Sequence, residues 1–322
     1  MRRREFTTFL ASAALARPVQ AQSLHHLRRI GVLWPGPSAP PPPRMEAFDQ
    51  GLRDAGLVQG QDVAVELRYS AQGIERLQEL ATELVKLDVA AIAAFGDLAP
   101  RAAQKATSKV PIAAIADDVL GAGLVTSLAR PGGNTTGVTL LSPELSAKRL
   151  AVLKEMLPHM SRAALLWDPS TGRTQVAMTE DAARLLNVNL QVFEVRRPND
   201  LAGILQAVKQ DHAEGLNVGA SPLLASQYRQ IVDFAATQRL PAIYQWKEHA
   251  VAGGLAAYGP SLFEMYRETG LFVAKLLRGA NPAELPVQQP TKFELVVNLA
   301  TAKTLGLALS QTLLIRADEV IE

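Results

Sequence analysis

No cysteine occurs in the 322 residues. That excludes disulfides, thiolate metal sites, cysteine nucleophiles and a lipid-bearing cysteine. Histidine is scarce: His25, His26, His159, His212 and His249 stand apart or beside one another, never at metal-ligand spacing. No metal site and no cofactor are expected. No strong charge imbalance exists either: 33 basic against 31 acidic residues give +2, which argues against a nucleic-acid footprint. Nucleotide and hydrolase signatures are missing. Gly219-Ala220-Ser221-Pro222-Leu223 fails the nucleophile elbow at its last position. Gly121-Ala122-Gly123 lacks the third glycine of a dinucleotide loop, and no phosphate-binding Walker loop appears. No catalytic residue is assigned. Asp117-Asp118 is a pair of carboxylates, but neighbours point apart and no partner base is in view.

Long apolar runs are missing too, with one short exception. The chain opens MRRREFTTFLASAALARPVQAQS. Arg2, Arg3 and Arg4 form a positive start, Phe6 to Ala16 is uncharged, and Val19-Gln20-Ala21 supplies small residues for a signal peptidase. The apolar run falls short of the about 20 residues that span a bilayer. We read residues 1–22 as an export signal. Arg3-Arg4-x-Phe6 also suits the twin-arginine route, which carries folded chains. Its removal takes four arginines and one glutamate, leaving 29 basic and 30 acidic residues, a net −1. A periplasmic protein without a membrane anchor is the expectation. About 300 residues remain, more than one core usually serves, so two lobes are expected.

From Arg29 the chain alternates. Ile30–Trp34, Val63–Tyr69, Val89–Phe95 and Val110–Ile115 read as strands. Between them Met45, Phe48, Leu52 and Ala55, then Ile74, Leu77, Leu80 and Leu84, recur at helical spacing, and Leu98–Thr107 forms a third helix. The rhythm restarts at Arg162–Trp167. Strands at 188–195, 215–219 and 241–244 then alternate with helices at 174–186, 201–210 and 227–239. Such alternation means βαβ units and parallel sheets. RRIGVLWPGPS at Arg28 and SRAALLWDPST at Ser161 start the two series alike. Ligands of such sheets bind beyond the strands' carboxyl ends. Trp34, Trp167 and Trp246 all sit there, so at least one is expected to border a cleft.

Three long stretches carry a resemblance: GAGLVTSLARPGGNTTGVTLLSPELSAKRLAVLKEMLP, RLPAIYQWKEHAVAGGLAAYGPSLFEMYRETG and LPVQQPTKFELVVNLATAKTLGL. They resemble the ABC transporter substrate-binding protein family, in its tryptophan- and tyrosine-type branch, over essentially Arg28 to Glu322. The resemblance implies an α/β fold of the type I periplasmic-binding-protein kind: two Rossmann-like lobes with parallel sheets joined by a three-crossover hinge. It implies lobe 1 over 28–140 plus about 250–285, and lobe 2 over 141–249 plus about 286–322. It also implies a small-molecule ligand, an inner-membrane ABC permease as partner, no catalysis and a monomer. A ligand-sensing module and an exported α/β enzyme are the alternatives.

Family positions map onto this chain one at a time. Ser38 is the hydroxyl left in the loop after the first strand. Gly96-Asp97 stands where the family has Gly and a hydroxyl residue, so a carboxylate is gained. Asp118 keeps the acid of an Asp-Pro-Val pattern. Trp167-Asp168-Pro169 resembles Trp-Asn-Pro, again with a charge gained. Ser221, Tyr244, Glu248 and Tyr258 match polar or aromatic cleft-edge positions. With Trp34 these are the expected ligand residues. Ser38 and helix N-termini would hold a carboxylate, and Asp97, Asp118 or Glu248 an ammonium. Trp34, Trp167 and Tyr244 would flank a side chain. The acids gained at Asp97 and Asp168 shift the expectation toward a ligand with positive charge or many hydroxyls.

Overall fold

The computed structural model describes residues 27–36, 39–70 and 72–322. The expected export signal and Ser38 lie outside the described residues. β1 (Arg28–Trp34), β2 (Val63–Tyr69), β3 (Ala91–Phe95), β4 (Ile112–Ala116) and β5 (Thr135–Thr139) form one sheet in the order β2-β1-β3-β4-β5. Every pairing is parallel. The crossovers are α1 (Pro42–Asp54), α2 (Ile74–Lys86) and α3 (Leu98–Ala106). β3 (AIAAF) and β4 (IAAIA) are buried at every residue. Alanine-rich strands fit a sheet covered on both faces.

The chain then passes through α4 (Ser142–Met156) into β6 (Arg162–Trp167), α5 (Thr174–Leu185), β7 (Asn189–Glu194), α6 (Leu201–Gln210) and β8 (Gly215–Val218). Next come α7 (Pro222–Ser226), α8 (Tyr228–Gln238), β9 (Ala242–Tyr244), α9 (Lys247–Val251) and β10 (Ala256–Pro260). α10 (Leu262–Leu277) returns to the first sheet. β11 (Phe293–Asn298), α11 (Leu299–Leu305), α12 (Gln311–Arg316) and β12 (Glu319–Ile321) complete the second. Its order is β12-β11-β10-β9-β8-β6-β7, and β10–β11 is its antiparallel pair. The two lobes are those of the type I periplasmic binding fold.

The chain crosses between the sheets three times: at Leu140–Leu141, at Ser261 and after Gln288. Gln288 still belongs to the first sheet's edge, since its N–H bonds Gly137 O and its carbonyl accepts from Thr139 N–H. The expected return near residue 250 is therefore late by about ten residues, because β10 pairs with β9 in the second sheet. α10 covers the first sheet by crossing α1 with backbones nearly touching. A Cβ on Gly51 would sit 1.9 Å from Arg267 O, and one on Gly270 2.3 Å from Phe48 O. Only glycine permits that approach. Phe272, Val273 and Leu276 of α10 share a core with Ile30, Val32 and Phe48.

Strands β2 and β6 start and end where the apolar runs predict. β3 and β4 begin two residues later than expected. Asp88, at φ 56°, turns the chain ahead of β3. Proline at 111 has no N–H to donate to a ladder.

Candidate functional site

The carboxyl ends of both sheets face one cleft. From the first lobe come Trp34 after β1, Gly96 and Asp97 after β3, and Asp117 after β4. From the second come Asp168 after β6, Ser221 after β8, and Gln245 and Trp246 after β9. The lobes touch across it. A Cβ on Gly96 would lie 2.7 Å from Pro222 Cγ, and Trp246 and Ala225 pack in the cluster that holds Trp34, Phe95, Leu140 and Tyr266.

Three cavities lie along this seam. The central one, about 40 Å³, is walled by Trp34, Arg44, Gly96, Asp117, Ser221 and Trp246, among others. A neighbouring one of about 140 Å³ is walled by Ser70, Asp97, Asp168, Ser170, Thr171 and Pro222, with Arg196 and Arg197 also present. An outer one of about 330 Å³ includes Trp34, Arg44, Tyr228, Glu248 and His249.

Charges are concentrated on these walls. Asp97 Oδ1 accepts the Asp117 N–H at 3.0 Å, while Oδ2 is buried without a partner. The Ser142 hydroxyl donates to Asp117 Oδ1 at 2.7 Å. Burial, then the negative charge of Asp117, holds the Asp97 carboxyl well above the usual carboxylate range. Burial pushes Asp117 up to about 6, with Ser142 and Arg149 pulling the other way. Asp168 is also raised by burial, opposed by its bonds from Ser170 and Ser221.

The cations answer them. Arg149 of α4 is fully buried. Burial lowers it to about 9, and Asp117 opposes that shift. One of its nitrogens donates to Tyr258 O at 3.2 Å; Nε and Nη2 have no partner. Arg44 lies over the rings of Trp34 and Tyr266, at 5.6 Å and 5.8 Å from their centroids. Both amide atoms of Gln245, which is 1 % exposed, are also without partners.

The predicted residues divide accordingly. Trp34, Gly96 and Ser221 meet in the central cavity, and Asp97 and Asp168 meet in its neighbour. Glu248 lies on the outer cavity. Four others are placed elsewhere. Asp118 Oδ1 accepts from Gly121 N–H and closes its own loop. Trp167 donates Nε1–H to Gly172 O and packs on Leu165 and Val176. Tyr244 is 0 % exposed inside the second core, edge-on to His249. The Tyr258 ring stacks on Phe293. Asp117, Arg44, Arg149, Gln245 and Tyr266 were absent from the expected set. Strand parity was the available signal for one of them: Asp117, not Asp118, turns inward.

Among the described residues no group of acids and histidines is placed to hold a metal ion. No described helix is long and apolar enough to cross a membrane.

Two facing α/β lobes with a charged seam define a two-lobed ligand-binding protein. Residues 43–321 match the family described as ABC transporter substrate binding protein, and the chain belongs to that family. It is similar to the tyrosine-binding protein of Clostridioides difficile (strain R20291), with 24 % identity over 266 residues, 81 % of this chain and 76 % of the relative. Among solved structures, it resembles an ABC domain in complex with L-Trp from Streptococcus pneumonia. The TM-score is 0.83 at 22 % identity, covering 92 % of this chain and all of that one. The ligand-free, open structure of a substrate-binding protein with adhesive properties from Clostridium difficile gives a TM-score of 0.65 at 20 % identity, covering 92 % and 99 %.

Proposed function

We propose that this chain is the periplasmic solute-binding component of an ABC importer and that it closes on an amino-acid-like ligand. One observation carries the ligand class: Arg44 and Asp117, of opposite charge, line the same small cavity between Trp34 and Trp246. A zwitterion matches that pair, its carboxylate toward Arg44 and its ammonium toward Asp117. The tryptophan complex of a structural neighbour and the tyrosine-binding relative support the same class. The protein performs no chemistry on the ligand. Its cycle is closure, delivery to a membrane permease and release, driven by tighter binding to the closed state. The arginine-led apolar N-terminal segment supports export to the periplasm.

The test is a thermal-shift screen of residues 23–322 against single amino acids, small carboxylates, polyamines and sugars. A ligand at 100 times its Kd adds about 2.7 kcal/mol, or roughly 5–10 °C in Tm for a chain of this size. A shift confined to amino acids is expected. A shift given only by sugars or simple carboxylates would refute this reading.

A further inference from the structure

We infer that the ligand carries a second positive charge, on its side chain, and that the cavity walled by Asp97 and Asp168 receives it. This rests on the reading of the cleft as an amino-acid site. The central cavity, at about 40 Å³, has room for little beyond a head group. Its neighbour is about 140 Å³, shares the Pro222 wall, and begins one residue on, where Gly96 is followed by Asp97. A side chain leaving the head group has this space to enter.

The walls specify what enters. Two carboxylates meet there from opposite lobes, Asp97 at 3 % and Asp168 at 4 % exposure. Asp168 Oδ1 is held by the Ser170 N–H. Asp97 Oδ2 has no hydrogen-bond partner, and a buried carboxyl oxygen left unpaired is costly whether it is ionised or protonated. Among the described residues no protein cation bonds to this oxygen. Arg196 is paired with Glu194, and Arg197 with Asp200. Arg101 exerts a Coulombic pull on Asp97, yet its own Nε is buried without a partner and does not bond Asp97 Oδ2. An ammonium or guanidinium on the ligand supplies the missing N–H and opposes both carboxylates. Leu77, Leu98, Pro222 and Leu223 give the cavity an apolar side, which suits the methylene stem of such a side chain. The ligand class is therefore a basic amino acid, such as arginine, ornithine or lysine, rather than a neutral aromatic one.

Calorimetry on residues 23–322 tests this with L-arginine, L-lysine, L-norleucine, L-tryptophan and putrescine, on wild type, Asp97→Asn and Asp168→Asn. Asparagine at 97 keeps an oxygen for the Asp117 N–H, and the melting temperature of each ligand-free variant checks its fold. We expect arginine or lysine to bind wild type at least tenfold tighter than norleucine. Asp97→Asn should lower that affinity at least tenfold and change norleucine affinity less than threefold. Tryptophan or norleucine binding wild type as tightly as the basic amino acids would overturn this inference and leave the amino-acid reading intact. Equal losses for norleucine and arginine in Asp97→Asn would also overturn it. Putrescine binding as tightly as arginine would uphold the cation cavity and overturn the amino-acid reading. A folded wild type that binds none of the five would overturn both.

Discussion

The two lobes are built on one plan and contribute differently to the seam. The first sheet has five parallel strands, and its ends deliver two adjoining acids, Asp97 and Asp117. The second has seven strands, and it delivers Asp168, a serine, a tryptophan and the buried Arg149. The charges are thus shared unequally, and Asp97 and Asp168 meet only when the lobes meet. The covering layers differ as well. The second lobe covers itself from neighbouring sequence, while the first takes α10 from far along the chain. The lesson is that the first lobe waits for a helix encoded beyond the second lobe's strands, and that its buried Asp117 feels a cation, Arg149, from the other lobe.

Breaking the helix dependence gives the largest effect. Gly270→Leu drives a side chain into the Phe48 carbonyl, 2.3 Å from the position of Cβ. Overpacking against backbone that cannot yield costs about 3 kcal/mol or more. Urea unfolding should show that loss.

The counter-charge is the next lever. Arg149→Met removes the buried cation that pulls on Asp117 and the bond to Tyr258 O, a loss of about 2 kcal/mol. The sign with pH follows from the raised Asp117. In the fold it is neutral below about 6. Its contribution to stability is present below its unfolded value near 3.9 and is lost as pH rises through about 6. The deficit of Arg149→Met relative to wild type should therefore be smaller at pH 5 than at pH 8, as read by denaturant titration at both. An equal deficit at the two pH values would show that Arg149 and Asp117 do not act on each other.

The smallest effect separates the tryptophans at equivalent strand ends. Trp167→Phe removes the bond to Gly172 O and should cost about 1 kcal/mol, with ligand affinity unchanged by calorimetry. A loss of affinity there would place Trp167 at the ligand after all.

Most of the fold was legible because apolar runs and helical spacing are local properties. β2 and β6 begin and end as read, and the repeated start at Arg28 and Ser161 marked the two lobes. The site was half legible. That strand ends bear it follows from topology, so Trp34, Gly96, Asp97, Asp168 and Ser221 were within reach. What failed was parity. At a strand end neighbouring side chains turn to opposite sides, and a one-residue choice decides which faces the cleft. Asp118 closes its own loop, and its neighbour Asp117 turns in. Arg149 and Tyr266 were out of reach for another reason. They lie on helices, and nothing in the α4 or α10 pattern says which turn will be pressed against the opposite lobe.

The late position of α10 has a consequence for how the molecule comes into being. Asp54 and Arg267, joined across the α1–α10 contact, are 213 residues apart. A chain emerging from the ribosome completes all five strands of the first sheet long before their cover exists. Phe48 and Ile30 must then wait, exposed, while the second lobe is made. Long-range closure of this kind slows folding and lengthens the time an incomplete core is open to aggregation. The first lobe, though first in sequence, cannot close its core until most of the second lobe's strands have been made.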